Sequence, residues 1–310
     1  MSRRVHSRST QIDGLLLLNK PAGLTSNQAL QRVKRLINAH KAGHTGSLDP
    51  AATGMLPLCF GEATKVCAFL LDADKTYRVT AKLGIATDTG DADGTAVDTA
   101  EVPELSAERW TGILEGFLGE STQVPPMYSA LKKDGKRLYE LARKGETVHR
   151  EPRPIRIDEI CLLEIAGGRL VFRVHCSKGT YVRVLVEDIA KKAGTVAHTA
   201  RLHRETVGAF QASDMLDLTG IEAAAASGSA AVLARLLPPD TALESMPAVQ
   251  LDAETAARFS AGQEVAALAQ ESSGLVRVYG AGAKFTGVGE LLGEGRLAPK
   301  RVFRTTEKNG

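Results

Sequence analysis

The chain has 310 residues, 43% of them hydrophobic, which is enough for one large and one small domain with buried cores. Its formal net charge of +3 does not by itself indicate a nucleic-acid partner, although the basic residues are clustered. The four cysteines form no C-x-x-C pair, and the leucine run in "GLLLLNK" is far shorter than a membrane span. The composition therefore disfavours zinc, redox and membrane proteins and predicts a cytoplasmic protein with free thiols.

The first predicted elements are a buried strand over residues 15–18 and a helix that follows a Pro-Ala-Gly turn. Thr25 and Gln28 have the spacing of a capping box, which marks the start of the helix. An apolar stripe with the period of a helix runs along residues 30–37. The basic residues on or near its other side, which are candidates for phosphate contacts, are Arg32, Lys34 and Arg35.

The segment "TYRVTAKLG" alternates as a strand does, so alternate residues from Tyr77 to Leu83 share one face. The next segment, "ATDTGDADGTAV", resembles a calcium loop only superficially. An EF-hand frame places Thr89 and Ala100 at the first and last ligand positions, where acids are needed. The sequence therefore predicts a turn-rich connection without a calcium site.

Two helices are predicted in the middle of the chain. The first is "AERWTGILEGFLG", and the second follows a loop in "TQVPPMYSALKKDGKRLYELARKGE", carries Leu138 and Leu141 and stops at Gly145. A long hairpin is predicted to turn at Gly167 and Gly168, and a helix that ends at Gly194 follows it. Further candidates for phosphate contacts lie before and within the second of the two helices, namely Lys132, Lys133, Lys136 and Arg137.

The last part of the chain differs in composition from the rest. An Ala/Ser-rich segment, residues 221–235, predicts a weakly patterned helix, and Pro238 and Pro239 mark a boundary after it. Residues 246–303 predict short strands separated by glycine turns, and hence a separate small β-rich domain.

The stretch "GHTGSLDPAATGMLP" places one carboxylate, Asp49, on a loop that glycine and proline constrain. Asp-Pro is common in turns, so Asp49 is either a turn or cap residue or a catalytic group on a rigid loop. A catalytic carboxylate needs an orienting cation, and Arg183 in "KGTYVR" is a candidate. His44 has no partner at metal-ligand spacing, which favours a loop histidine that contacts substrate or backbone.

Other chemistries fit the sequence less well. His175 and Cys176 are strand neighbours whose side chains should point to opposite faces, which disfavours a nucleophilic pair. The chain has neither a P-loop nor a dinucleotide-binding glycine fingerprint. Tyr77 and Tyr181 each lie near a basic residue at a strand end, either as core tyrosines or as stacking platforms for a nucleobase.

Six segments together resemble the TruB family, the bacterial tRNA pseudouridine-55 synthases, in sequence, order and spacing. They are "LLLLNKPAGLTSN", "AGHTGSLDPAATGMLPLCFGEATKV", "DKTYRVTAKLGIATDTGDADG", "VPPMYSALKKDGKRLYELARKGE", "CSKGTYVRVLVEDI" and "RLHRETVGAF". The resemblance covers nearly the whole chain, and the tail is similar to the small β-rich PUA domain. It implies an α+β fold, with a mixed, mostly antiparallel catalytic sheet in residues 1–243 and a PUA-like RNA-binding domain in residues 244–310.

The same resemblance implies roles for individual residues. Asp49 matches the essential aspartate of the family, and Arg183 matches the arginine that pairs with it. Tyr77 matches the tyrosine that stacks on the target base, and Tyr181 matches the second active-site tyrosine. The positions that contact the flipped-out nucleotide region are matched by His44 and Leu202.

The activity implied is isomerisation of uridine 55 in the T-arm loop of tRNA to pseudouridine. The base would be flipped out, its C1′–N1 bond would be broken with the help of Asp49, and C1′ would then bond to C5. No metal or cofactor is needed, and the implied protein is a monomer that grips the acceptor end of tRNA through its C-terminal domain and assists tRNA folding. Two alternatives remain open: an RNA-binding module without catalysis, and a hydrolase that uses Asp49 and His44.

Overall fold

The structure is a computed structural model that describes residues 11–133, 135–267, 273–292 and 294–304. It has the predicted α+β fold, in which a large mixed sheet is followed by a separate small β-rich domain. Within the described residues, no helix is long and apolar enough to cross a membrane.

The elements are named in chain order. The strands are β1 (Gly14–Lys20), β2 (Ala42–His44), β3 (Thr53–Phe60), β4 (Lys75–Leu83), β5 (Ile85–Thr87), β6 (Ala96–Thr99), β7 (Gly119–Gln123), β8 (Lys132–Lys133), β9 (Lys136–Arg137), β10 (Arg153–Ala166), β11 (Arg169–Cys176), β12 (Ala197–Val207), β13 (Leu216–Asp217), β14 (Ala248–Gln250), β15 (Val265–Ala266), β16 (Gly274–Gly280), β17 (Lys284–Leu291) and β18 (Arg296–Val302). The α-helices are α1 (Ser26–Leu36), α2 (Cys67–Asp72), α3 (Ala107–Glu115), α4 (Leu138–Ala142), α5 (Val182–Lys192), α6 (Leu218–Ala226), α7 (Ser229–Leu233) and α8 (Ala253–Ser260).

The large sheet has the strand order β13-β1-β3-β12-β4-β11-β10-β7, with β2 paired to β3. Its β1–β13 and β3–β12 pairs are parallel, and its other pairs are antiparallel. The prediction of a mixed, mostly antiparallel sheet is therefore confirmed. The parallel pairing of β3 with β12 at the centre brings together segments that lie far apart in the sequence.

The main core lies between this sheet and helix α5. Tyr77, Val79, Ala81 and Leu83 are all buried, as the alternating pattern of β4 predicted. The apolar face of α5 packs on the strands β4 and β12. Because α5 is amphipathic, burial of this face fixes the rotation of the helix and so the direction of the polar residues in its first turn.

Two local predictions are confirmed in detail. The Thr25 side chain accepts a hydrogen bond from the Gln28 N–H, and the Gln28 side chain accepts from the Thr25 N–H, which completes the capping box of α1. The β10–β11 hairpin turns at Gly167 and Gly168, whose φ angles are 57° and 70°. A two-residue mirror-image turn needs positive φ at both central positions, which glycine adopts without strain.

Three local predictions are wrong. Lys136 and Arg137 lie on β9, paired with β8, and α4 begins only at Leu138. Gly135, with a φ of 78°, favours a hairpin turn before the helix, so these two basic residues do not lie within it. The Ala/Ser-rich segment forms two helices, α6 and α7, because Gly228 adopts a φ of 116° between them. The C-terminal tail contains a helix, α8, where only strands and turns were predicted.

The small domain has a five-stranded sheet in the order β14-β16-β17-β18-β15, and α8 packs on it. Its own apolar core includes Phe259 and Val278. A second apolar cluster joins it to the large sheet, since Val288 and Phe303 pack with Leu15 and Leu17 of β1. This cluster, which we call the shared core, extends across the predicted boundary between residues 243 and 244.

Candidate active site

Asp49 lies on the loop between β2 and β3, and both of its neighbours are held by residues from the end of β1 to the start of α1. The Ser26 hydroxyl donates to the Leu48 carbonyl (3.1 Å) and accepts from the Leu48 N–H (2.8 Å). The Pro50 carbonyl accepts from the Gly23 N–H (2.9 Å) and from Lys20 Nζ (3.2 Å). The loop is thus fixed on each side of the carboxylate, as a rigid functional loop requires.

Arg204 of β12 holds the same loop from the sheet. Its guanidinium is buried and donates to the carbonyls of Gly46 and Met55, each at 2.7 Å. Gly54 allows the backbones of β3 and β12 to lie close together, because a Cβ at that position would lie 2.2 Å from the Arg204 carbonyl oxygen. The glycine also has a φ of 101°, a conformation that other residues rarely adopt.

Arg183 is placed by α5 directly against Asp49. Its Nε lies 3.1 Å from Asp49 Oδ2, and its Nη1 lies 3.7 Å from an Asp91 carboxylate oxygen. Nη1 also donates to the Thr89 carbonyl and Nη2 to the Tyr128 carbonyl, both at 2.7 Å. A planar group with this many fixed partners has one orientation, so the predicted ion pair is preorganised.

Burial raises the pKa of the Asp49 carboxyl above its ordinary value, and the Arg183 guanidinium opposes this by lowering it. The carboxylates of Asp91 and Asp93 add to the upward shift. Arg183 therefore favours the ionised form, as expected, but the net direction is upward. The result is a carboxylate that is more basic than a free aspartate and still held by a cation.

Asp49 and Arg183 open into a cleft of about 320 Å³. The cleft is also lined by three of the four other residues that the family resemblance implied for this region, namely Tyr77, Tyr181 and Leu202. A larger groove, of about 660 Å³, is lined by Lys20, Arg32 and His203 and does not include Asp49. The titratable pair, rather than the volume, identifies the smaller cleft as the candidate site.

The two tyrosines enter the cleft from different elements. Tyr77 comes from β4, and burial raises the pKa of its hydroxyl while Arg204 lowers it. Tyr181 directly precedes α5, and burial raises its pKa while the Ser129 hydroxyl lowers it. Both phenols are therefore neutral at physiological pH, and their rings supply flat apolar surface beside a charged pair.

His44 is not on a loop, because it forms the last residue of β2, paired opposite Leu58. Burial lowers the pKa of its imidazole, and Arg204 adds to the effect. Its Nδ1 is buried and has no hydrogen-bond partner among the described residues. His44 is not among the residues that line the cleft around Asp49.

The predicted phosphate contacts fall into two groups. In α1, Arg32 forms an ion pair with Glu222, and Arg35 donates to the Gln31 carbonyl, so Arg32 is already neutralised. The second group forms the exposed β8–β9 hairpin, which we call the basic hairpin: Lys132, Lys133, Lys136 and Arg137. Four cations on one exposed hairpin are better placed for an external anion than an ion-paired helix residue is.

Three buried cations near the site, Lys20, Lys75 and Arg204, were not predicted. Burial is the main cause that lowers the pKa of Lys20 and of Lys75 to about 8 each. Lys75 donates to the carbonyls of Leu71 and Ala73 at the end of α2. Lys20 is the last residue of the apolar strand β1 and Lys75 the first residue of β4, and a lysine that borders a buried strand is the pattern that could have revealed them.

Two other groups of reactive residues within the described part of the chain do not form a second site. Burial raises the pKa of the Cys176 thiol to about 12, which leaves it a neutral core residue, as predicted. Asp74, Asp158 and His175 are close enough to share a cation, but Arg156 already forms ion pairs with both acids. A guanidinium thus supplies the positive charge that a metal ion would supply there.

The chain is similar to the solved structure described as "Crystal Structure of a Cbf5-Nop10-Gar1 Complex", with a TM-score of 0.73 and 25% identity over 94% of this chain and 85% of that chain. A second structure, of "the archaeal box H/ACA sRNP Nop10-Cbf5 complex", shares the fold with a TM-score of 0.71 and 23% identity over 98% of this chain and 89% of that chain. Both likenesses extend over nearly the whole chain and show its fold.

Three family models match consecutive parts of the chain. Residues 34–182 match the N-terminal domain of TruB family pseudouridylate synthases, residues 183–244 match the tRNA pseudouridylate synthase B C-terminal domain, and residues 247–303 match the C-terminal model of pseudouridine synthase II TruB. The chain belongs to the TruB family of pseudouridylate synthases. It is 48% identical to a protein named tRNA pseudouridine synthase B from Nitrosococcus oceani, over 98% of each chain. A protein of the same name from Sodalis glossinidius is also 48% identical, over 97% of this chain and 98% of that one.

Proposed function

We propose that the protein isomerises uridine 55 in the T-arm loop of tRNA to pseudouridine. The observation that carries the proposal is the ion pair of Asp49 and Arg183, which meets Tyr77, Tyr181 and Leu202 in one cleft. The relatives named tRNA pseudouridine synthase B support tRNA as the substrate. Position 55 follows from the resemblance of the motif segments to the family that modifies it.

The reaction is an isomerisation, so atoms and electrons balance within the nucleotide. The C1′–N1 bond breaks, the detached uracil turns, C1′ bonds to C5, and the proton on C5 is lost as N1 gains one. Asp49 is the acting carboxylate, either as a nucleophile at C1′ or as a base that removes a ribose proton. In both routes the ionised form is needed, and Arg183 favours that form.

The aromatic and apolar residues hold the base during the turn. Tyr77 provides a face on which the flipped uracil stacks, and Tyr181 and Leu202 close the cleft around it. Flipping the base costs a few kcal/mol, which contacts with the rest of the RNA offset. His44 lies outside this cleft lining and would contact the RNA around the flipped nucleotide.

The remaining contacts would come from two exposed regions. The basic hairpin would bind backbone phosphates of the T-arm, with Lys34 and Arg35 of α1 as further contacts. The small β-rich domain, residues 244–310, would grip the acceptor end, as PUA domains do. We expect a cytoplasmic monomer that needs no cofactor and that also assists tRNA folding.

The test is to map pseudouridine in total tRNA after incubation with the pure protein and with Asp49→Asn. Wild-type protein should modify uridine 55, and Asp49→Asn should not. A second candidate, an RNA-binding module without catalysis, predicts equal tRNA binding and no modification by either protein. Modification at a different position by wild-type protein would keep the enzyme class and overturn the assigned target.

A further inference from the structure

Gln123 links two segments that supply the active site. It is the last residue of β7, it is buried, and its side chain faces the main chain of Tyr181, 58 residues away. Gln123 Oε1 accepts from the Tyr181 N–H at 2.7 Å, and Gln123 Nε2 donates to the Tyr181 carbonyl at 3.1 Å. A single amide thereby pairs with a main-chain N–H and C=O, as a neighbouring strand would.

Tyr181 occupies the position at which α5 starts. It is the N-cap residue, it has no side-chain cap hydrogen bond, and its carbonyl also accepts the N–H of Leu185 at 3.1 Å. The direction of the Tyr181 peptide therefore sets where the first turn of the helix begins. Arg183, two residues later, reaches Asp49 from this turn.

Arg183 makes a second contact between the start of α5 and the segment around β7. The guanidinium donates to the carbonyl of Tyr128, which lies on the segment that follows β7. Gln123 and Tyr128 thus hold the start of α5 at two points, one at the Tyr181 backbone and one at the Arg183 side chain. A shift of about 1 Å in a reacting group can cost roughly 100-fold in rate, so this restraint bears on catalysis.

We propose that Gln123 is a positioning residue for the reaction: its amide fixes the Tyr181 backbone and, through the first turn of α5, the guanidinium that holds Asp49. The inference rests on the proposed function, because it concerns the same carboxylate. Gln123 is buried and does not line the cleft, so it would neither touch a reacting atom nor contact the RNA. Its loss should therefore lower the rate of the chemical step and leave the affinity for tRNA unchanged.

The first test uses Gln123→Ala in the full chain. We expect the single-turnover rate of pseudouridine formation to fall about 10- to 100-fold, because two buried hydrogen bonds are lost. The Kd for tRNA should stay within about twofold of the wild-type value. The matched control is Gln211→Ala, which removes an exposed amide that donates to the Ala209 carbonyl in a surface turn. This control should keep the wild-type rate.

The second test uses Gln123→Glu, which separates positioning from general destabilisation. An ionised glutamate accepts from the Tyr181 N–H but repels its carbonyl, whereas a protonated one both accepts and donates as glutamine does. Arg153 lies directly opposite Gln123 on β10, and the segment that the Gln123 amide binds carries the titratable side chains of Tyr181 and Arg183. The rate of Gln123→Glu relative to wild type should rise at least about threefold as pH falls through the pKa of the new carboxyl.

The outcomes are distinct. A wild-type rate for Gln123→Ala, or a Gln123→Glu to wild-type ratio that is independent of pH, overturns the positioning role. Loss of tRNA affinity with an unchanged single-turnover rate overturns it as well. If wild-type protein forms no pseudouridine in tRNA, the proposed function fails instead, and that result is read before any variant is compared. Should Gln123→Ala fail to fold, the pH dependence of Gln123→Glu decides alone.

Discussion

Asp49 and Arg183 form an ion pair of unequal exposure: the arginine side chain is 7% exposed and the aspartate side chain 45% exposed. The cation is enclosed by protein groups, while the carboxylate presents one side to the cleft. Because its other hydrogen bonds fix the Arg183 guanidinium, it orients the Asp49 carboxylate without covering the side that faces the cleft. This arrangement leaves a free carboxylate edge for a nucleotide that enters the cleft.

Replacing Asp49 by Asn should remove activity and keep binding. Asparagine has the same shape but can neither attack C1′ nor accept a proton, so we expect at least about a thousandfold lower single-turnover rate. The Kd for tRNA should change less than about threefold, because a carboxylate does not attract the phosphates that dominate RNA affinity. The exposed Asp98 of β6 provides the control, and Asp98→Asn should behave as wild type. Substantial product from Asp49→Asn would contradict the assignment of this carboxylate.

Removing the charge of Arg183 should move the acid limb of the pH–rate profile to higher pH. Arg183 lowers the pKa of Asp49, so Arg183→Gln should raise that pKa further above its ordinary value. The ionised, active fraction at a given acidic pH then falls. We expect the single-turnover profile of the variant to lose activity at a higher pH than wild type does, together with a lower plateau. An acid limb at the wild-type pH would show that another group titrates.

Substitution of Gly54 should destabilise the protein. An alanine Cβ would clash with the Arg204 carbonyl oxygen at 2.2 Å, and the φ of 101° is unfavourable for alanine. We expect Gly54→Ala to lower the free energy of unfolding by at least about 2 kcal/mol in denaturant titrations.

The matched control is Gly112 of α3, where nothing lies within 4 Å of an added Cβ. Gly112→Ala should stabilise the protein by about 0.5–1 kcal/mol, because alanine is the better helix former. Equal effects of the two substitutions would mean that the β3–β12 approach is less tight than described.

Neutralising the basic hairpin should weaken RNA binding without regard to sequence. Replacing its four basic residues by Gln should reduce the slope of log K against log salt by about one for each phosphate that the protein no longer neutralises. Arg32→Gln should change the slope much less, because Arg32 is already paired with Glu222. Filter-binding or anisotropy titrations at several salt concentrations measure both. An unchanged slope for the hairpin variant would mean that these four side chains are hydrated and contact no phosphate.

The role of the small domain is tested by comparing whole tRNA with an isolated T-arm stem-loop. Truncation is a poor test, because it removes Val288 and Phe303 from the shared core and should lower the Tm of the remainder. We instead expect Lys284→Gln with Arg301→Gln, both exposed, to weaken the Kd for whole tRNA several-fold. The same double variant should bind the stem-loop as wild type does. Equal losses on both RNAs would contradict a grip on the acceptor end.

The residues of the cleft show what the sequence could and could not predict. The alternating pattern of β4 predicted correctly that Tyr77 points inward, because side-chain period follows directly from strand geometry. The pairing of Asp49 with Arg183 came from resemblance, since no local rule joins residues so far apart in the chain. The buried cations Lys20 and Arg204 were missed because main-chain carbonyls bind them, and a sequence pattern does not show which carbonyls point inward.

The errors in secondary structure have similar causes. The apolar residues Leu138 and Leu141 predicted a helix after a loop but gave no sign that Lys136 and Arg137 pair with β8 before it. Helix α8 was hidden among glycine-rich strands, although Asp252 and Thr255 at its start form a recognisable cap. In both cases the contact that decides the structure, the β8–β9 pairing or the cap of α8, joins residues close in the sequence. Neighbouring loop and strand residues hid the turn on which that contact depends.

The shared core fixes the distance between the cleft and the small domain, because it packs the small domain directly against the large sheet. With Val288 and Phe303 packed on Leu15 and Leu17, and with the Lys65 ammonium bonded to the Val302 carbonyl, the connection does not behave as a flexible tether. An RNA that contacted both the cleft and the small domain would therefore have to span one fixed distance. A stem that is a base pair too long or too short would then engage one end and miss the other.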